Sequence, residues 1–290
     1  MNDLNTSSQS PDISGKFATS GFTTLSQFIS SDVLDEIEAC IVDLYLLQAL
    51  KIGEYRLAAQ EVNRSSASSF SKFETLYEMM EKDDKEALYQ VQKFLPSSQV
   101  CRNLFDERFM EIMCGLLGSN RHTVLVDGPA LFVNRPNTER LLYKWHSEAH
   151  YYPKRRRFVN VWMPLFTDKT SYSGTMSFKS ASHLQHFPFS DYQGFNRDSE
   201  KRANYFVQYE IPNNFLEGFH EHSCDTQRGD LVIFDRNLVH RSNQNLSDRY
   251  SVAMVARVWD PSDDLTLSGN IAVTPYGGNI GRSNLVVEAF

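Results

Sequence analysis

Gly229-Asp230-Leu231-Val232-Ile233-Phe234-Asp235-Arg236-Asn237-Leu238-Val239-His240-Arg241-Ser242 is the stretch on which the fold turns. Gly-Asp opens a strand, the apolar run Leu231–Phe234 buries it, and Asp235–Asn237 makes a turn. His240 then stands at the start of the returning strand, a geometry that carries its imidazole to the mouth of a small β-barrel. The same period-2 pattern extends in both directions from this hairpin. Strands are expected at Thr123–Asp127, Ala130–Asn134, Phe158–Leu165, Gly174–Phe178, Phe206–Ile211, Asp230–Phe234, Val239–Arg241 and Arg249–Val258, parted by Gly128–Pro129, Ser171–Ser173 and Arg228–Gly229.

Upstream of Asn120 the period is 3.6 instead. Val33, Leu34, Ile37, Ile41 and Leu44 follow Ser30–Ser31, a capped helix start, and Leu76–Met80 and Leu88–Leu95 repeat the pattern up to Pro96. Leu104–Leu117 forms a further helix closed by Gly118. The expected class is mixed β with helices, a double-stranded β-helix (jelly-roll) core buttressed by N-terminal and inserted α-helices. Residues 1–15 read as a disordered leader and 16–290 as one domain. Within it, helices occupy about 30–118, the jelly-roll about 120–260 and a tail 261–290, with the insert 50–118 expected to cover the site.

Composition narrows the function classes. The 290 residues are 41% hydrophobic and 22% charged, an ordinary globular balance. A net charge of −7 argues against nucleic acid and anionic membrane as partners. Cys40, Cys101, Cys114 and Cys224 form no CxxC pair and read as unpaired thiols of a reducing compartment. With neither a signal-peptide pattern nor an apolar run long enough to span a bilayer, a cytoplasmic protein is expected.

Trp145-His146-Ser147-Glu148 carries the sharpest chemistry. On a strand, residues i and i+2 share a face, so His146 and Glu148 can converge on one ion, with His240 as a third ligand. Two imidazoles and one carboxylate on one face of an octahedron suit non-haem Fe(II) and leave positions for cosubstrate and oxygen. Arg249, at the head of a strand, suits bidentate capture of a carboxylate. His220-Glu221-His222 is a rival metal set, more simply read as a solvated loop. Lys154-Arg155-Arg156-Arg157 is either a solvated turn or a dock for an anionic substrate group through Arg155. Beside it, Tyr151 and Trp162 are candidates to stack on substrate, though core packing explains most of the neighbouring aromatics. His150, His183 and His186 are more simply surface or supporting histidines.

In this order, His146-x-Glu148, Gly229-Asp230, His240 and Arg249 resemble the phytanoyl-CoA dioxygenase family of Fe(II)/2-oxoglutarate oxygenases. Gly21-Phe22 through Phe28-Ile29-Ser30, Phe132-Val133-Asn134-Arg135-Pro136, Trp162–Leu165, Ser173-Gly174-Thr175-Met176 and Ser180-Ala181-Ser182-His183 extend the likeness across 16–260. Two positions depart from the family pattern. Glu148 stands where the family usually has Asp. The family's cosubstrate arginine lies about eleven residues past the distal histidine, whereas Arg249 is nine past His240, and both odd spacings keep one strand face.

The resemblance implies a dioxygenase that uses Fe(II), 2-oxoglutarate and O2 to hydroxylate an unactivated carbon of a small metabolite, in natural-product or polysaccharide biosynthesis; an anionic substrate is the one that would use the Arg155 dock. It implies His146, Glu148 and His240 as iron ligands and Arg249 on the distal carboxylate of 2-oxoglutarate. Arg135 is a second contact, and Ser251 occupies the family's usual spacing. Desaturation, cyclisation, epimerisation and a catalytically silent binding protein remain as alternatives.

Overall fold

Capping and apolar spacing build the helical half. The computed structural model describes residues 10–83, 85–138, 142–191 and 209–263. Its helices are α1 (Ser10–Ser20), α2 (Ser31–Lys51), α3 (Arg56–Arg64), α4 (Ser69–Asp83), α5 (Lys85–Phe94), α6 (Gln99–Asn103), α7 (Glu107–Leu117) and the single turn α8 (Glu148–Tyr151). The Ser30 hydroxyl accepts the Val33 N–H at the start of α2, and Leu34, Ile37, Ile41 and Tyr45 then form one buried stripe. The Asp106 carboxylate caps α7 through the Phe109 N–H at 2.8 Å, and Gly118 ends it at φ 58°. Helix α1 begins inside the expected leader, because Ile13 and Phe17 have apolar partners in the core. Residues 1–9 of that leader and 264–290 of the tail lie outside the described residues.

The strands are β1 (Phe22–Leu25), β2 (Leu125–Asn134), β3 (Arg157–Leu165), β4 (Met176–Lys179), β5 (Ser190–Asp191), β6 (Tyr209–Glu210), β7 (Glu221–Ser223), β8 (Leu231–Asp235), β9 (His240–Ser242) and β10 (Ser251–Asp260). They form a five-stranded sheet, β1-β8-β3-β10-β2, a three-stranded sheet, β7-β4-β9, and the small pair β5-β6. Every pairing is antiparallel, as in a jelly-roll, though hydrogen bonds do not close the described strands into a barrel. Of the expected strand 206–211, residues 206–208 fall outside the described part.

The large sheet is covered on both faces, which is why β3 and β10 are apolar almost throughout. Val159, Val161, Met163 and Leu165 of β3 and Val252, Met254, Ala256 and Val258 of β10 pack outward on α2 and α4–α7. The helical layer therefore backs the outer face of the sheet and does not cover the site, which lies on the other face. Trp162, Val232, Phe234 and Ala253 point inward, to Phe22, Phe178, Cys224 and Leu238. All four cysteines are unpaired.

The two expected strands 123–127 and 130–134 are one, β2, interrupted by a bulge. Val255 of β10 pairs with Ala130 but Arg257 pairs with Asp127, so β2 spends three residues where β10 spends two. The extra residue reverses the facing of the strand beyond it. Asp127 is thereby turned inward, to the same side as Arg257. Gly128 makes the bulge possible: at φ 113°, a Cβ there would lie 3.1 Å from the Val255 carbonyl oxygen.

The opening Gly229-Asp230 is a structural clamp. The Asp230 carboxylate accepts the Gln27 and Gln227 backbone N–H groups, both at 2.9 Å, tying β8 to the β1 end. Gly229 sits at φ 104°, and a Cβ would meet the Ile29 carbonyl oxygen at 3.0 Å. Gly229→Ala should therefore cost about 1–3 kcal/mol in a urea unfolding experiment. Met254→Ala, at the sheet–helix interface, should cost about 2–5 kcal/mol.

Candidate metal centre

Two backbone hydrogen bonds create the site. The His146 N–H donates to the His240 carbonyl at 3.0 Å and the His240 N–H returns the bond at 2.9 Å. This antiparallel bridge joins the segment leading into α8 to the edge of β9 and sets the imidazole centroids 4.2 Å apart. Each ring is then fixed by its own backbone: the Nδ1–H of His146 donates to the Lys144 carbonyl at 2.7 Å and that of His240 to the Leu238 carbonyl at 2.9 Å. A carbonyl only accepts, so both protons are on Nδ1 and both Nε2 lone pairs are bare.

Glu148 reaches the same point by a route other than strand alternation. It opens the helical turn α8, which is tied down by the Ala149 N–H to the Arg236 carbonyl at 3.0 Å. Its Oε1 lies 3.8 Å from Nε2 of His146 and 3.9 Å from Nε2 of His240. The three candidate ligand atoms all fall within 4.8 Å of one another. Two ligands about 2.0–2.2 Å from a shared ion cannot stand more than about 4.4 Å apart, so the two glutamate–histidine separations suit an ion between them.

The electrostatics keep His240 and Glu148 in ligand form. Burial pushes the pKa of His240 down to about 3, helped by the neighbouring His146 and opposed by Glu148. Burial alone would raise Glu148, but the Arg257 guanidinium holds its carboxyl well below the usual carboxylate range. Arg257 donates from Nε at 3.0 Å and Nη2 at 2.9 Å to the same oxygen, Oε2, leaving Oε1 for the ion. Phe234, 4.9 Å from the His240 ring, and Phe178, at 6.4 Å, form a dry wall behind the centre. Tyr143 and Tyr151 flank His146 with ring centroids at 5.2 Å and 5.6 Å.

The other expected residues are distributed differently. Arg249 precedes β10 rather than standing in it and faces the helical layer. Its Nη2 lies 2.5 Å from Oε2 of Glu74, its Nε also bonds that carboxylate, and its guanidinium covers the Phe70 ring at 4.0 Å. Arg135, just past the end of β2, pairs with Glu81 at 3.2 Å. The structure thus brings neither arginine to the His146–Glu148–His240 cluster. Ser251 does face the inner side of β10, with its hydroxyl 3.4 Å from the Gly174 carbonyl. Trp162 is 4% exposed and belongs to the inner apolar cluster. Arg155 bonds Asp127 at 2.7 Å and lies between the Tyr152 and Trp259 rings. Arg157 caps the Leu117 and Gly118 carbonyls at the end of α7. The rival His220-Glu221-His222 runs through β7, where Glu221 pairs with Lys179 and Arg241.

Two inner-face residues join the site without having been anticipated. Arg257 is one. Asn160 is the other, directly opposite Arg257 in the β3–β10 register, fully buried, with neither amide atom bonded to protein. Strand parity is the signal that marks both: 251, 253, 255 and 257 share one face of β10, and Asn160 and Trp162 share the facing side of β3.

A family model described as phytanoyl-CoA dioxygenase (PhyH) matches residues 17–252, most of the chain. The chain belongs to the PhyH family. It is accordingly a 2-oxoglutarate-dependent non-haem iron enzyme, since this family works with Fe(II), 2-oxoglutarate and O2. Solved structures share the PhyH fold at low identity. EctD from S. alaskensis, solved with 2-oxoglutarate and 5-hydroxyectoine, is 15% identical with a TM-score of 0.58, over 97% of this chain and 84% of that one. The apo non-haem monooxygenase ThoJ is 16% identical with a TM-score of 0.57, over 93% and 85%. The epimerase SnoN, with Fe3+, α-ketoglutarate and nogalamycin RO, is 12% identical with a TM-score of 0.52, over 87% and 84%. No curated protein matches the chain by sequence. Among the described residues no helix is long and apolar enough to cross a membrane.

Titrating this PhyH protein with Co(II) should give a visible d–d spectrum that His146→Ala and His240→Ala each abolish. A pH effect follows from His240. The folded chain keeps it neutral to about pH 3, while the unfolded chain protonates it near its ordinary value of 6.5. Unfolding takes up that proton between the two values, so metal-free stability should fall as pH drops from 6.5. His240→Asn should flatten part of the slope in thermal melts, and an unaltered slope would contradict the assignment.

Proposed function

We propose that this chain hydroxylates an unactivated carbon of a small metabolite, converting 2-oxoglutarate to succinate and CO2, with His146, Glu148 and His240 as the iron ligands. The observation that carries the reading is the convergence of two bare imidazole nitrogens and one carboxylate oxygen beside a dry aromatic wall. Iron with 2-oxoglutarate and dioxygen supplies the oxidising power. The chain holds the ligands in their unprotonated forms, excludes water through Phe178 and Phe234, and fixes the direction from which substrate approaches.

The cosubstrate fits what the chain offers. Asn160 is a buried amide with a free donor and a free acceptor, an arrangement that protein tolerates when a polar ligand completes it. It adjoins Arg257 on the inner face, and Ser251 lies further along the same strand face. We assign cosubstrate contacts to Asn160 and Ser251, and a bracing role to Arg249 and Arg135, which are engaged by Glu74 and Glu81.

On the substrate side, Tyr151 stands between the His146 ring and Tyr209, whose ring is 4.9 Å away, and Phe189 follows at 5.0 Å. This aromatic wall suits the face of a ring or sugar, as in natural-product or polysaccharide biosynthesis. Because Asp127 already neutralises Arg155, an anionic group is not needed for recognition there. The four unpaired thiols suit a cytoplasmic setting.

Anaerobic addition of Fe(II) and then 2-oxoglutarate should produce a visible charge-transfer band, absent in His240→Ala. Asn160→Ala should weaken 2-oxoglutarate binding by about 1–3 kcal/mol, while Arg249→Ala should leave it unchanged and lower only stability. A band that survives in His240→Ala would sink the ligand set. Product mass tests the outcome: hydroxylation adds one oxygen, desaturation removes two hydrogens, and epimerisation changes nothing.

A further inference from the structure

A glutamate ligand has one more methylene than an aspartate, hence one more rotor and a freer choice between one-oxygen and two-oxygen binding. In this chain that freedom is removed. Both N–H groups that Arg257 offers to Glu148 go to Oε2, at 3.0 Å and 2.9 Å, while Oε1 faces the two Nε2 atoms at 3.8 Å and 3.9 Å. The guanidinium is itself held. It lies over the Tyr152 ring at 4.7 Å, and its side chain is 16% exposed. Strand β10 delivers it to the inner face.

We propose that Arg257 is a positioning residue that makes Glu148 a one-oxygen ligand and sets the charge of the loaded centre. This rests on the metal-centre reading above. With Oε2 engaged by Arg257, Glu148 offers the ion Oε1 alone and leaves a coordination position open for a chelating cosubstrate. Charge points the same way. A divalent ion with one carboxylate and two neutral imidazoles carries +1, and Arg257 brings the group to +2. The nearby Arg155–Asp127 pair adds nothing to that sum. A dianion such as 2-oxoglutarate then neutralises the centre completely, which matters most where water is scarce. Arg257 thus compensates for the longer carboxylate side chain and favours a doubly charged chelator over a singly charged one.

The test uses the full chain with Ni(II) and Co(II) as probes. Arg257→Gln should bind Ni(II) about 10–100-fold more weakly by calorimetry, the usual effect of losing a partner that orients a ligand. Its Co(II) d–d bands should shift, and Arg257→Lys, which keeps the charge, should recover most of the affinity. On Co(II)-loaded protein, the preference for 2-oxoglutarate over a monoanionic 2-oxo acid should shrink in Arg257→Gln and return in Arg257→Lys. A crystal structure of the Ni(II)-loaded wild type should show Oε1 alone on the metal and Oε2 on Arg257, and it decides the matter if the Gln variant does not fold. Two Glu148 oxygens on the ion, or wild-type Ni(II) affinity and Co(II) spectrum in Arg257→Gln, would overturn the proposal alone. So would a variant that keeps the metal unchanged and loses only 2-oxoglutarate, which would make Arg257 the cosubstrate's anchor. A wild type that binds neither probe would instead remove the metal-centre reading itself.

Discussion

The reciprocal backbone pair between His146 and His240 is the interaction on which the site depends. Together with the Ser242 N–H to the Tyr143 carbonyl, it ties the segment leading into α8 to the small sheet, and it fixes two imidazoles before any side-chain contact is considered. Everything else at the centre refers to it. The Lys144 and Leu238 carbonyls select the tautomers, α8 swings Glu148 across, and Arg257 arrives from the opposing sheet. A site assembled from two sheets needs those sheets held at constant separation, and the inner apolar cluster of Phe22, Trp162, Phe178 and Phe234 supplies the spacer.

The helical half contributes at a distance. By covering the outer face of β3, β8 and β10 it lets those strands be apolar on both sides, and only such strands can present a polar residue inward without exposing the backbone behind it. Glu38 shows the coupling. From α2 its carboxylate accepts the Phe166 N–H at 2.6 Å and the Arg228 Nε–H at 2.8 Å, joining the helical layer to the end of β3 and to the turn before β8.

The parts of the fold legible in the sequence were those with a single, strong cause. The apolar run 231–234 and the stretch 249–258 read as strands, Ser30 and Gly118 read as helix ends, and His146, Glu148 and His240 stood out as a metal set. What was not legible depended on facing and on partners far away in the chain. Arg249 has the right parity on paper, yet it lies ahead of β10, where Glu74 on α4 captures it. Arg257 is a lone charge in an apolar strand; counting alternate residues from Ser251 marks it as inward, but its meaning comes from Glu148, 109 positions away. The bulge in β2 hid Asp127 for the same reason, since simple alternation sends it outward.

That bulge places an unusual demand on the chain. A substitution at Ala130 leaves the aspartate beside Arg155, whereas losing a single residue from 127–130 would rotate everything upstream by half a turn and strip Arg155 of its counter-charge. Length is guarded in this segment as closely as the identities of Asp127 and Gly128, and indels are a class of change that selection should purge from it.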